Sequence, residues 1–166
     1  MKVKLKKLNR NARVPTKGRE GDLCYDVYAV TEEEVASNVW RYGLGLAFQI
    51  ERPEQIDNAY WDERVNLSID FRPRSSVWKT GMVLSNCCGT IDEFYRGEVM
   101  AVFYHVMPNM PRYKVGDRIG QIKIGATVPI EFEVTDELFM DTERGVGGFG
   151  STDDVPMSGS IAKGAN

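Results

Sequence analysis

VNLSIDFR, residues Val65–Arg72, alternates apolar and polar side chains without a break. Successive side chains of a β-strand point to opposite faces of a sheet, so the pattern predicts a strand with one buried and one solvated face. Ile130–Val134 repeats the alternation, and Gln121–Ile124 and Lys2–Leu5 are shorter examples. Val99–Val106 is mostly apolar and rich in β-forming residues, which predicts a more buried strand.

Helical signals are scarce in this chain. Thr31–Glu34 fits a capping box before Val35, and Ser75–Thr80, followed by Gly81, is a second short candidate. From about Asp141 onward the chain is rich in glycine and poor in apolar residues, which is typical of an arm outside the core. Many short strands with few helices predict an all-β sandwich or barrel.

Composition restricts the possible functions. The chain has 166 residues, which favours one domain, and its formal net charge is -3. A nucleic-acid-binding surface needs clustered Lys and Arg, so we expect no nucleic-acid partner. The one basic run, Lys2–Lys7, alternates with apolar residues and predicts the solvated face of a strand.

Cysteine usage and hydropathy indicate the compartment. The three cysteines form an odd set without a CxxC pair, which argues against a disulfide framework or a zinc site. No apolar run approaches the ~20 residues needed to cross a membrane, and the N-terminus has no apolar signal segment. We therefore expect a soluble protein with no membrane partner.

Three segments could carry chemistry. Gly145–Gly150 contains GxGxxG, but too little chain follows for a dinucleotide-binding unit, so the segment is either a disordered tail or a lid that approaches phosphates. Pro73–Ser76 precedes the second helical candidate and could bind an anion or simply cap the helix through Ser75. Gly89–Glu98 resembles a β-hairpin arm, in which Asp92 could orient a water and Tyr95 could pack on a sugar; the alternative is a solvated turn.

Five segments in order give a family resemblance. The chain resembles the trimeric dUTPase family, whose five motifs match Tyr25–Ala29, Pro73–Ser76, Gly89–Gly97, Gly116–Gln121 and Arg144–Thr152. Any one motif alone is weak. Found together and in order, they extend the resemblance over residues 21 to 152, nearly the whole chain.

The resemblance implies a fold, an assembly and an activity. The fold would be a jelly-roll-like β-barrel over residues 1–140 with one or two short helices, followed by a flexible glycine-rich arm over 141–166. The family forms homotrimers in which three subunits contribute to each active site. Its members hydrolyse dUTP to dUMP and pyrophosphate with Mg²⁺, so dUTP is the expected substrate. The expected compartment is the cytoplasm of a bacterial or phage-infected cell, or also the nucleus in a eukaryote.

Matching positions carry the roles of the family's site residues. Asp92 matches the carboxylate that orients the attacking water, and Tyr95 matches the ring beneath the deoxyribose. Asp26 matches the carboxylate that holds Mg²⁺ through water. The positions that match contacts to uracil are Asn86, Gly89, Thr90, Ile91, Met100 and Phe149. The positions that match contacts to phosphates are Arg74, Ser75, Ser76, Gln121, Arg144, Gly150, Ser151 and Thr152.

The chain departs from the family pattern in three places, one of which is the segment from Asp26 to Gly45, which is shorter than usual. Leu23 and Cys24 replace the usual Ala-Gly before the first motif, and about one loop is added at Arg52–Arg64. That loop contains Tyr60 and Trp61 and is interpreted as an elaborated surface hairpin or as a site for a protein partner.

Two alternative functions stay open. A dCTP deaminase shares this fold, but the Tyr95–Gly97 signature and the complete fifth motif favour the diphosphatase. A phage dUTPase that also regulates a host protein is the other alternative, and both roles could coexist.

Overall fold

The computed structural model describes residues 1–52 and 65–136. Within these ranges the chain forms ten strands and one short 3₁₀ helix, Val77–Thr80. The strands are β1 Lys2–Lys7, β2 Tyr25–Tyr28, β3 Thr31–Ala36, β4 Val39–Gly43, β5 Leu46–Glu51, β6 Asn66–Pro73, β7 Met82–Leu84, β8 Gly89–Asp92, β9 Met100–His105 and β10 Arg118–Thr127. The all-β prediction is therefore confirmed.

The strands form two four-stranded antiparallel sheets, ordered β2-β10-β6-β8 and β3-β4-β9-β7, with β1 and β5 as a separate pair. We call the first of these the site sheet. Consecutive strands β8 and β9 lie in different four-stranded sheets, as in the jelly-roll-like architecture implied by the resemblance.

The alternation in β6 gives the site sheet its buried face. Leu67, Ile69 and Phe71 are 5%, 4% and 1% exposed, whereas the polar residues between them are more accessible. Phe71 packs edge-on against Phe103 of the other sheet, with ring centroids 6.3 Å apart. Burial of a side chain of this size stabilises the fold by roughly 1.5–3 kcal/mol. The strand predicted from Val65–Arg72 is thus confirmed, with each end shifted by one residue.

The predicted strand at Val99–Val106 is confirmed as β9, with a clearer alternation than the sequence suggested. Ala101 and Phe103 are 4% and 0% exposed, whereas Met100 and Tyr104 are 45% and 49% exposed. One face of β9 therefore packs into the core, and the other presents large apolar side chains at the surface.

The helix predicted at Thr31–Glu34 is wrong, because this segment is strand β3 paired with β4. Glu32 accepts hydrogen bonds from the Arg112 guanidinium at 3.1 Å and from the Val115 backbone N–H at 2.9 Å. Those partners lie about eighty residues away in the sequence and compete with local capping. Tertiary pairing therefore overrides the capping-box pattern.

The strand predicted at Ile130–Val134 is also absent from the described residues. Ile130, Phe132 and Val134 are 70%, 86% and 98% exposed. An alternating segment becomes a strand only where a neighbour supplies hydrogen bonds, and none of the described strands pairs with it.

The chain divides into two compact units, Met1–Ile130 and Glu131–Asn166, and all the described strands lie in the first. The predicted boundary between residues 140 and 141 falls outside the described ranges and stays a prediction. The added loop lies outside them too, except for Arg52. Among the described helices, none is long and apolar enough to span a membrane.

Candidate active site

A row of polar side chains crosses three strands of the site sheet. Gln121 of β10 lies directly opposite Arg72 of β6 on one side and Asp26 of β2 on the other. Residues in such register point to the same face with Cβ atoms about 5 Å apart. We call Arg72, Gln121 and Asp26 the cross-sheet row. Asp26 is further fixed by an ion pair with Arg118, 2.5 Å from Nη1 to Oδ2.

Arg74, Ser75 and Ser76 lie just beyond the end of β6, next to the 3₁₀ helix. The Arg74 carbonyl accepts the Val77 N–H at 3.0 Å, which turns the chain into the helix. Ser76, not Ser75, occupies the N-cap position, and its side chain makes no capping hydrogen bond. The simple capping interpretation is therefore not supported. The predicted helix is confirmed in a shorter form that ends at Thr80 and is followed by Gly81 as its C-cap, with a φ of +63°.

The hairpin predicted at Gly89–Glu98 is wrong, because β8 pairs with β6 and not with β9. After Asp92 the chain turns, with the Tyr95 N–H donating to the Asp92 carbonyl at 3.0 Å, and crosses to the other sheet. We call residues 89–100 the corner segment. Its first residue, Gly89, follows a tight turn that contains Asn86 and Cys87, the latter at φ 56°.

The corner segment surrounds a pocket of about 270 Å³. Thr90, Ile91, Asp92, Tyr95 and Met100 line it, together with Glu98 and Val99. A second depression of about 550 Å³ shares Asp92 and Tyr95 and extends toward Asn66. The structure thus brings together five residues that the resemblance assigns to water, sugar and base.

Tyr95 is held by its own segment. Its hydroxyl donates to the Glu98 carbonyl at 3.1 Å. A Cβ at Gly97 would lie 2.5 Å from Cζ of the Tyr95 ring, so this ring position requires glycine at residue 97. The Glu98 carboxylate in turn accepts the Gly45 N–H at 2.8 Å. Sequence reasoning missed Glu98, whose partner is 53 residues away.

The residue after Asp92 carries a second anchor. Glu93 accepts two hydrogen bonds from Arg52, 2.8 Å from Nε to Oε1 and 2.6 Å from Nη2 to Oε2. The Arg52 hydrogen bond is the main cause that lowers the pKa of the Glu93 carboxyl below its usual value, against the opposing effect of desolvation. Sequence reasoning missed this pair, because its members are 41 residues apart.

Comparisons with known proteins identify the family. The family model described as dUTPase matches residues 69–153. The deoxyuridine 5'-triphosphate nucleotidohydrolase of Nautilia profundicola is 34% identical over 154 residues, which covers 92% of this chain and 99% of the relative. The chain belongs to the dUTPase family.

Solved dUTPase structures share the fold. The dUTPase of Staphylococcus bacteriophage 80alpha, solved as a point mutant with dUpNHpp, superposes with a TM-score of 0.66 at 20% identity and covers 91% of this chain and 98% of that one. A point mutant of the dUTPase from phage phi11 of S. aureus gives a TM-score of 0.60 at 17% identity, covering 83% of this chain and 99% of that one. Both confirm the jelly-roll-like fold predicted from the resemblance.

The candidate site residues lie at two ends of one sheet. Asp92 lies opposite Ser68 on β6, and Gln121 lies opposite Arg72 on the same strand. Four residues of strand at ~3.3 Å each place these positions about 13 Å apart along β6. The residues predicted to contact the nucleoside and those predicted to contact the phosphates are therefore separated within one chain. The predicted arm residues Arg144, Phe149, Gly150, Ser151 and Thr152 lie outside the described ranges.

The cross-sheet row contains the residue predicted to contact a metal, Asp26. The phi11 mutant structure is described as revealing the coordination of a structural Mg(II) ion. Among the described residues of this chain, no three His, Cys, Asp or Glu side chains converge. One Asp26 oxygen is engaged by Arg118, which suits an indirect contact through water better than direct ligation.

Proposed function

We propose that this dUTPase-family chain hydrolyses dUTP to dUMP and pyrophosphate, with Asp92 orienting the attacking water. The observation that carries the proposal is the Asp92 carboxylate at the pocket of the corner segment, beside Tyr95 and Met100. Asp92 is exposed and has no hydrogen-bond partner for its carboxylate among the described residues, so its oxygens are available to a water. The water attacks the α-phosphorus in line, and pyrophosphate leaves.

The corner segment supplies selectivity for the nucleoside. The backbone from Gly89 to Ile91 presents N–H and C=O groups to one edge of uracil, and cytosine offers the reversed pattern there. Unpaired buried polar groups are costly, so this backbone discriminates strongly between the two bases. The Tyr95 ring lies beneath the deoxyribose, where a ribose 2′-hydroxyl would collide with it.

The phosphate side stabilises charge. Arg74, Ser75, Ser76 and Gln121 bind the triphosphate, as planar guanidinium and hydroxyl donors suit phosphate oxygens. Asp26 would help to hold Mg²⁺ through water, and the ion would supply charge neutralisation for the triphosphate. The ion pair between Arg118 and Asp26 holds that carboxylate in place.

We further propose that the site forms between subunits of a homotrimer. Two observations support this assembly. About 13 Å of strand separates Asp92 from the cross-sheet row in one chain. The outer face of the β3-β4-β9-β7 sheet exposes Met100, Tyr104 and Val83 by 45%, 49% and 52%, and contiguous apolar surface of this kind marks interfaces.

A substrate panel tests the activity. Pyrophosphate release is measured for dUTP, dCTP, dTTP and UTP with Mg²⁺, and ammonia release is measured for dCTP. We expect rapid pyrophosphate release from dUTP alone. Equal rates on all four nucleotides would overturn the selectivity, and ammonia from dCTP would identify a deaminase instead.

Subunit mixing tests the composite site. Asp92→Asn and Arg74→Ala trimers are each expected to be nearly inactive. After mild dissociation and reassembly of a mixture, some sites combine an intact Asp92 with an intact Arg74 from a neighbour, so activity returns. If both residues served one site within a single chain, the mixture would stay inactive.

Truncation after Glu143 tests the arm. We propose that Arg144, Phe149, Gly150, Ser151 and Thr152 close over a neighbouring subunit's nucleotide. The shortened chain should keep its trimeric mass by light scattering and lose most of its turnover. Full turnover by the shortened chain would remove the arm from the site.

A further inference from the structure

We propose that the Arg52–Glu93 ion pair positions the catalytic turn, holding Asp92 where its carboxylate can orient water. Glu93 and Arg52 would thus be positioning residues for the reaction, which act through Asp92 without touching substrate. The inference rests on the proposed role of Asp92, and the experiment below separates the two.

The backbone needs an anchor at this point because the sheet ends there. Asp92 is the last residue of β8, and its pairing with Ser68 is the last position of that ladder. Beyond it the chain leaves for the other sheet, through a turn closed by the Tyr95 N–H bond to the Asp92 carbonyl. This hydrogen bond lies within the turn, so it fixes the shape of the turn but does not hold the turn against β6.

Glu93 supplies that missing connection. Its carboxylate receives both hydrogen bonds from Arg52 and also accepts the Leu67 N–H at 3.3 Å. Arg52 Nη2 donates in addition to the Val65 carbonyl at 2.8 Å. The pair therefore joins three backbone segments: the end of β5, the start of β6 and the turn after Asp92.

The geometry of the pair suits a positioning role. A bidentate guanidinium–carboxylate pair fixes direction as well as distance. The Glu93 side chain is only 10% exposed, so solvent and salt screen the pair less than an exposed one. The backbone carbonyl of Glu93 also accepts a hydrogen bond from Arg96 Nη1 at 2.6 Å, which adds a further contact within the turn after Asp92.

A matched control exists elsewhere in the fold. Glu32 pairs with Arg112 at 3.1 Å, with side chains 23% and 15% exposed, and neither residue lines the pocket around Asp92. Glu93→Gln and Glu32→Gln each remove one partly buried carboxylate charge opposite an arginine. A loss of general stability should affect both variants, whereas a loss of position at Asp92 should affect only the first.

The test compares kcat, KM and affinity for dUpNHpp. We expect Glu93→Gln to lower kcat by roughly tenfold or more, since small misplacement of a reacting group has effects of this size. Its KM and its dissociation constant for dUpNHpp should stay within about twofold, because the lost alignment concerns the transition state and not ground-state binding. Glu32→Gln should keep the parent's kcat even where its melting temperature falls as much.

Arg52→Lys keeps the charge but loses the two-pronged bond, and it provides a second variant if Glu93→Gln folds poorly. We expect it also to lower kcat selectively. The double variant Arg52→Lys/Glu93→Gln should be no slower than the slower single variant, because both changes break one interaction.

The outcomes are distinct. If Glu93→Gln and Arg52→Lys both keep the parent's kcat while their melting temperature falls, the pair only stabilises the fold and the inference is overturned. Equal loss of kcat in Glu93→Gln and Glu32→Gln would overturn it as well. Asp92→Asn is measured in the same series: if that variant turns over normally, the proposed role of Asp92 fails, whatever the ion pair does.

Discussion

The two ends of the candidate site are built in different ways. The cross-sheet row is fixed by register, because Arg72, Gln121 and Asp26 are neighbours across continuous antiparallel ladders. The corner segment leaves its ladder after Asp92 and pairs again only at Val99 and Met100. Between these points it depends on individual side chains, Glu93 and Glu98, that bond to distant parts of the chain. Backbone pairing places the residues proposed to bind phosphate, whereas specific side-chain contacts place the residues proposed to bind the nucleoside.

This difference predicts where substitutions are costly. In the row, removal of a side chain deletes one contact and leaves the strands in place. In the corner, removal of an anchor moves the residues that it holds. Effects on catalysis should therefore spread further from a substitution in the corner than from one in the row.

Asp92→Asn should have the largest effect. An amide cannot accept the proton of the attacking water as a carboxylate does, so turnover should fall by at least ~100-fold. The amide has nearly the same shape, so affinity for dUpNHpp should be largely kept. Steady-state kinetics and titration calorimetry measure both quantities, and near-normal turnover would remove Asp92 from the chemistry.

Gly97→Ala should have the second largest effect, because it displaces the Tyr95 ring. The new methyl group would lie 2.5 Å from Cζ of the Tyr95 ring and displace it. Overpacking of this kind costs about 1–3 kcal/mol, so the preference for dUTP over UTP should fall by on the order of tenfold.

Gly21→Ala is the matched control for Gly97→Ala, because nothing lies within 4 Å of a Cβ at residue 21. It should leave the ratio of kcat/KM for dUTP and UTP unchanged. An unchanged ratio in Gly97→Ala as well would mean that the Tyr95 ring does not set the sugar preference.

Glu98→Ala should also disturb the corner segment, with a smaller loss of activity than Gly97→Ala. It leaves the Gly45 N–H without its acceptor, at a cost of about 1–3 kcal/mol in the free energy of unfolding. We expect kcat/KM for dUTP to fall severalfold as the corner segment loosens. Glu98→Gln retains an oxygen acceptor and should recover most of the loss; failure of that recovery would indicate that the charge, and not the hydrogen bond, matters.

Gln121→Ala should have the smallest effect on turnover of the four. The proposed hydrogen bond joins a neutral amide to a charged phosphate oxygen, and bonds to charged groups are worth about 1.5–3 kcal/mol, so KM should rise by roughly tenfold to a hundredfold. The melting temperature should hardly change, because the ladder between β6 and β10 does not use this side chain. A large fall in melting temperature would contradict the view that register alone holds the row.

The sequence predicted which residues form the candidate site better than it predicted the contacts that hold them in place. The alternation in Val65–Arg72 predicts β6 because burial of every second residue is a local property of a strand. The resemblance gave the candidate residues, and five of them do line one pocket. The family and its fold could therefore be predicted from the sequence.

The errors share one physical cause. Thr31–Glu34 carries a local helix signal, yet pairing with β4 and the bonds from Arg112 and Val115 make it a strand. The pattern of Gly89–Glu98 predicts a hairpin, but the strands on either side of its turn, β8 and β9, lie in different sheets. Contacts between residues far apart in the chain decide these cases, as they decide the Arg52–Glu93 and Glu98–Gly45 bonds, and no local pattern encodes them.

The hydrogen bond from Arg52 to the Val65 carbonyl has an evolutionary consequence. It joins the chain at the two points between which the added residues run, so the ends of that loop are fixed independently of its content. Doubling the length of such a loop costs only about 0.6 kcal/mol in closure entropy. Insertions and deletions between these two points should thus be nearly neutral for the barrel, which makes this position a natural place for lineages to vary loop length without disturbing the turn after Asp92.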